Sequence, residues 1–135
     1  MTGVNRDMCG GDHSGHRPIT TDLSGLRDWV QRRGAEAGIK GVRLDDLVIG
    51  VNEAAINVLE HGGGTGTVSI WDDDAYLTVD IVDSAGLLTS DRARTQRPPE
   101  GANRGFGLWL MGLLCDEFTV SQESGRSRVR LRMRL

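Results

Sequence analysis

Apolar residues recur along this chain with two periods. From Thr20 the period is helical, with Leu23, Leu26, Trp29 and Val30 three or four residues apart, the spacing that stacks side chains on one helix face. Thr20, Thr21 and Asp22 are N-capping residue types, and Gly34 and Gly38 loosen the far end, so a first helix is expected over about 22–36. Asp45 and Asp46 mark the start of a second helix, where negative charge suits the partial positive end. Leu44, Leu47, Val48, Val51, Ala55, Val58 and Leu59 form its buried stripe, and Gly62-Gly63-Gly64 stops it.

The period then shortens to two. Residues 67–71 and 76–82 alternate on either side of Asp72-Asp73-Asp74, which reads as two strands and a turn. Residues 83–104 are polar and carry Pro98, Pro99 and Gly101. A loop of that length in a compact domain is usually a lid or a binding loop. Residues 105–115 are apolar nearly all round and predict a third, buried helix. Two more strands, 117–122 and 126–135, meet at Ser124-Gly125. In the last of them Arg126, Arg128, Arg130, Arg132 and Arg134 alternate with Val129, Leu131, Met133 and Leu135. The plain explanation is a solvated sheet face over a buried one; the other is a basic docking surface for an acidic partner.

Helices and strands do not alternate strictly in this order. The expected fold is therefore α/β, a two-layer sandwich of a mixed, mostly antiparallel sheet with helices on one face. At 135 residues the chain fits one domain, over 19–135. Residues 1–18 lack any apolar period and are expected to be a disordered tail. Cys9, Asp12, His13 and His16 in that tail carry metal-ligating atoms, although a solvated tail is the simpler account.

Composition narrows the function classes. A formal net charge of -3 argues against general nucleic-acid binding, which favours a basic surface. The two cysteines form no CxxC pair, so neither a zinc knuckle nor a disulfide framework is indicated. The N-terminus lacks the apolar core of a signal peptide, and no run reaches about 18 apolar residues. A cytoplasmic protein without membrane attachment is expected.

Three features carry candidate chemistry. Glu53, Asn57 and His61 lie at i, i+4 and i+8 of the second helix, on a face distinct from the Leu47, Val51, Val58 stripe. The Glu and Asn oxygens suit a hard cation such as Mg²⁺; an exposed face with scattered polar residues is the bland alternative. Asp83 ends the strand of Leu77, Val79 and Ile81, and Ser84-Ala85-Gly86 follow it. A carboxylate there either accepts hydrogen bonds from a ligand amine or simply begins the turn. Gly105-Phe106-Gly107-Leu108 then enters a helix behind Arg104, an arrangement that lets backbone N–H groups approach a phosphate, or else a hinge without a ligand. No GKS or GKT follows a glycine loop, so a Walker A site is absent.

Taken in order, these segments resemble the GHKL ATPases, the group of histidine kinases, gyrase and heat-shock chaperones. Glu53-Ala-Ala-Ile-Asn57-Val-Leu-Glu-His61 looks like their N box, Asp83-Ser-Ala-Gly86 like a reduced first glycine box, and Gly105-Phe-Gly-Leu108 like the second. The chain is most similar to the stand-alone anti-sigma factor serine/threonine kinases. That resemblance implies ATP and Mg²⁺ as cofactors, with a sigma factor and an anti-sigma factor antagonist as protein partners, and it allows a homodimer. It makes Glu53 the general base, Asn57 the Mg²⁺ ligand and Asp83 the acceptor for the adenine amine. His61, Gly86, Arg104, Gly105, Phe106, Gly107 and Leu108 complete the nucleotide site. The first box departs from Asp-x-Gly-x-Gly, since Ala85 and Leu87 stand at the two glycine positions. That departure motivates an alternative function, a GHKL-fold protein that sequesters its partner without phosphorylating anything.

Overall fold

The computed structural model describes residues 14–61, 64–84 and 111–135. The elements in chain order are β1 (Gly15–Pro18), α1 (Leu23–Glu36), α2 (Val42–His61), β2 (Gly66–Asp72), β3 (Tyr76–Asp83), β4 (Glu117–Glu123) and β5 (Arg126–Arg134). Residues 111–114 are also helical and end at Cys115, whose N–H donates to Met111 O at 3.1 Å.

Both long helices form for the reasons the spacing indicates. Asp22 caps α1, its carboxylate accepting from Gly25 N at 3.0 Å. Leu26, Trp29 and Val30 face the core. Helix α2 begins three residues before the aspartates expected to open it, because Gly41 O already accepts from Leu44 N and Asp45 N. At its far end the Gly64 N–H folds back to Val58 O at 3.1 Å, with Gly64 in the left-handed region at φ 79.

The five strands form one sheet in the order β1-β2-β3-β5-β4, and every pairing is antiparallel. The β2–β3 turn is fixed by Asp73, whose Oδ1 accepts from Ala75 N at 2.7 Å and Tyr76 N at 2.8 Å. The β4–β5 turn is a two-residue hairpin, with Ser124 at φ 55 and Gly125 at φ 77.

The helices cover one face of this sheet. Leu47, Val51, Ala54, Ala55 and Val58 of α2 meet Leu77, Val79 and Ile81 of β3 and Val129, Leu131 and Met133 of β5 in one core. The opposite face carries the arginine row of β5, so the alternation read from the sequence is realised as one buried and one polar face. Among the described residues no helix is long and apolar enough to cross a membrane.

Strand β1 corrects one expectation. Residues 15–18 lie within the expected disordered tail, yet they pair with Thr67, Val68, Ser69 and Ile70 of β2 as an edge strand. Gly15 and Arg17 are its helix-facing positions. The Arg17 guanidinium lies 5.6 Å from the Trp29 ring centroid and donates to Gly25 O at 3.2 Å. A cation stacked on an aromatic ring replaces the apolar contact that a strand pattern would have shown. Residues 1–13 lie outside the described residues.

Candidate functional site

Two elements bring the candidate residues together. On α2, Glu53 and Asn57 are both half-buried, one helical turn apart. Their direction follows from what flanks the helix. On one flank α1 is tied to α2 by Arg27, which donates to Asn52 Oδ1 at 3.2 Å. On the other flank Gly50 faces Cys115 and Leu131, since a Cβ at Gly50 would lie 3.3 Å from Cys115 Sγ and 3.5 Å from Leu131 Cδ1. At about 100° per residue, Glu53 and Asn57 point within about 60° of the Gly50 direction. They therefore sit on the flank turned away from α1, where the chain re-enters the described part at the buried Met111.

Asp83 lies at the end of β3 on the helix-covered face, in register with Gly66 of β2 and Ser127 of β5. It is 1% exposed, and its Oδ1 accepts from Ser127 N at 3.3 Å. A Cβ at Gly66 would lie 3.0 Å from Val58 Cγ1 and 3.4 Å from Asp83 Cα. Val58 thus rests on the Gly66–Asp83 pair, and Asn57 is its immediate neighbour in the chain. Glu53 is five residues earlier, about 7.5 Å along the helix axis.

A cavity of about 250 Å³ opens at the strand end beside Asp83, bordered also by Thr65, Gly66, Thr67, Val82, Ser84 and Arg126, with Thr67, Val82 and Arg126 on the sheet face away from the helices. Across it the Thr65 and Ser84 hydroxyls are 2.6 Å apart. Glu53 and Asn57 are not among the residues lining this cavity. The structure therefore joins Asp83 to the C-terminal half of α2 through Val58 and leaves Glu53 above it. The sequence pattern shows Ser84 only as the residue after Asp83 and Arg126 only as part of the arginine row, and gives no sign of Thr65; their meeting here depends on strand register, which no local pattern displays.

The remaining expectations fall elsewhere. His61 ends α2, and its side chain lies outside the described residues, as do Gly86, Arg104, Gly105, Phe106, Gly107 and Leu108. Cys9, Asp12 and His13 of the suggested tail metal site also lie outside them. His16 is in β1, with Nδ1 2.8 Å from Ser69 Oγ.

The family described as the histidine kinase-like ATPase domain matches residues 18–133, almost the whole chain. The chain belongs to the histidine kinase-like ATPase domain family. Its fold is also similar to part of a solved structure, the RsbU and RsbW domains of Rv1364c from Mycobacterium tuberculosis, with a TM-score of 0.67 at 19% identity. That alignment covers 90% of this chain and 32% of the other, so this chain spans about a third of the protein it matches. No curated protein matches the chain.

ATPase domains of this family bind ATP, usually with Mg²⁺, and the residues present fit both. A buried carboxylate beside a cavity is a suitable acceptor for an exocyclic amine. The side-chain oxygens of Glu53 and Asn57 are hard donors of the type Mg²⁺ takes.

Proposed function

We propose that this histidine kinase-like ATPase domain is a cytoplasmic anti-sigma factor with ATP-dependent serine/threonine kinase activity toward an anti-sigma factor antagonist. The observation that carries this is the seating of Asp83: a buried carboxylate at a strand end, packed beneath the turn of α2 that carries Asn57. Bound Mg·ATP would supply the transferable phosphoryl group together with a neutralising cation. Asp83 accepts from the base and selects adenine. Asn57 Oδ1 presents an oxygen ligand. The Glu53 carboxylate takes the proton from an incoming serine hydroxyl of the antagonist. Phosphoryl transfer depends on positioning and charge neutralisation more than on covalent help, and these residues offer that. His61, Gly86, Arg104, Gly105, Phe106, Gly107 and Leu108 are assigned to holding the nucleotide. The partners in this scheme are a sigma factor and the antagonist, and the scheme allows a homodimer.

Ala85 and Leu87 favour a second function, partner sequestration without phosphoryl transfer, because side chains stand where the first glycine box of the family has two glycines. Incubation with labelled ATP, Mg²⁺ and a cognate antagonist separates the two. The kinase yields phosphoserine, and Glu53→Ala abolishes it. No phosphoserine from either protein, with ATP still bound, leaves sequestration.

A further inference from the structure

The arginine row of β5 is not a uniform positive stripe. Arg130 is committed to Asp80, with Nε and Nη2 donating to its two oxygens at 2.7 and 2.8 Å. Arg132 donates to Glu117 Oε1 at 3.0 Å and lies over the Tyr76 ring at 4.0 Å. Arg134 is engaged by the Tyr76 hydroxyl and the nearby Asp116 carboxylate. The surplus charge falls at the other end. Arg128 is only 3.7 Å from Asp80 Oδ2 with its side chain 48% exposed, and Arg126 makes no ion pair with another described residue.

That end is concave. Thr67, Val82, Arg128 and Ser121 stand directly opposite one another across β2, β3, β5 and β4. Beyond that row the floor stops, because β3 ends at Asp83 while β5 continues to Arg126 and the Ser124-Gly125 turn. The resulting cavity of about 460 Å³ is bordered by Thr67, Ser121, Ser124, Arg126, Arg128 and Glu123.

We propose that this hollow on the helix-free face binds a phosphomonoester. Two guanidiniums two residues apart on one strand lie about 7 Å from each other at their Cα atoms, and each offers paired N–H donors to phosphate oxygens. Ser121 stands opposite Arg128 and Ser124 lies in the turn beside Arg126, so two hydroxyls border the cavity next to the guanidiniums, and a phosphate offers three acceptor oxygens to such donors where a carboxylate offers two. The volume exceeds that of a bare anion and leaves room for what the phosphate is attached to. Glu123, in register with Arg126, opposes the charge and tunes affinity downward. Either free phosphate or a phosphoserine side chain of a partner protein supplies this chemistry.

Calorimetric titration with inorganic phosphate, a phosphoserine peptide, its unphosphorylated form and free glutamate tests the site. Arg126 also borders the Asp83 cavity, so the decisive variant is Arg128→Gln, which lines only the larger one. Phosphate or phosphopeptide should bind saturably. Arg128→Gln should weaken binding by about tenfold or more, the loss expected for a charge-assisted contact. Glu123→Gln should tighten it. A phosphopeptide about tenfold tighter than phosphate assigns a partner side chain; equal affinities assign the free anion. Binding indifferent to Arg128→Gln and Glu123→Gln, glutamate binding as well as phosphate, or no binding at all would overturn the proposal.

Discussion

An alanine at Gly66 places a methyl group where the β2–β3 end and α2 leave no room. Its Cβ would lie 2.4 Å from Val82 O and 3.0 Å from Val58 Cγ1. A carbon to oxygen contact relaxes only near 3.3–3.6 Å, so β2 and β3 would have to part locally by about 1 Å. The obstacle is backbone in a paired strand, which cannot turn aside as a side chain does. Overpacking of this kind costs about 1–3 kcal/mol. A stiffer unfolded chain offsets about 0.4–1 kcal/mol where the new residue fits without strain. That strain-free fit is missing at Gly66, so the loss stays at about 1–3 kcal/mol, a fall in the urea midpoint of about 1 M at an ordinary denaturant slope. Gly50→Ala is the matched control. There the nearest atoms are side-chain atoms at 3.3 and 3.5 Å, and a helix-interior alanine gains about 0.5–1 kcal/mol. Its midpoint should hold or rise. Urea unfolding of both variants, followed by far-UV circular dichroism, decides the matter. A Gly66→Ala protein as stable as wild type, or less harmed than Gly50→Ala, would refute the packing of α2 onto the Asp83 strand end.

Three further outcomes follow from the described contacts. Asp80→Ala should lower stability by about 1–2 kcal/mol, because it strips Arg130 of both short hydrogen bonds while leaving that arginine open to water on one side; an unchanged urea midpoint would contradict this. Asp116 has its carboxyl held below the ordinary value of 3.8, first by the Arg134 N–H at 2.6 Å and then by Arg43 at 3.1 Å. Since the folded-state pKa is the lower one, its contribution is complete above pH 3.8 and lost as pH falls further. Asp116→Asn should flatten the acid limb of a stability-versus-pH profile between about pH 5 and 2, and an identical limb in both proteins would speak against the contact. Burial, reinforced by the charges of Asp116 and Asp46, pushes the Cys115 thiol up to about 12. In a Cys9→Ser background the native protein should therefore react with a thiol reagent at pH 8 only as fast as it unfolds, and prompt labelling would show the thiol to be open.

Much of the fold was legible in the pattern of apolar positions. Helices α1 and α2 and both hairpins lie where the periods of 3.6 and 2 put them, because each buries one face against a single core. Strand β1 was not legible. Its inward positions are Gly15 and Arg17, and it is held by pairing with β2 and by the stacking of Arg17 on Trp29, neither of which leaves an apolar signature. The site was half legible. Asp83 stands out as a carboxylate where the strand alternation calls for an apolar residue, while Glu53 and Asn57 stand out only by their spacing on a face apart from the apolar stripe. Thr65, Ser84 and Arg126 are ordinary loop and edge residues until the Gly66–Asp83 register gathers them around one cavity. The arginine row shows the same limit. Its alternation predicted a polar face, but which arginines are spent on Asp80 and Glu117 depends on cross-strand partners far away in sequence.

The central claim is that Asp83 and Asn57 belong to one nucleotide site. Calorimetric titration with ATP, with and without Mg²⁺, tests it most directly on wild type, Asp83→Ala and Asn57→Ala. Saturable binding is expected for wild type, lost by about tenfold or more in Asp83→Ala, with the Mg²⁺ enhancement alone removed in Asn57→Ala. ATP affinity that is the same in all three proteins, or no binding by the folded wild type, would contradict the account.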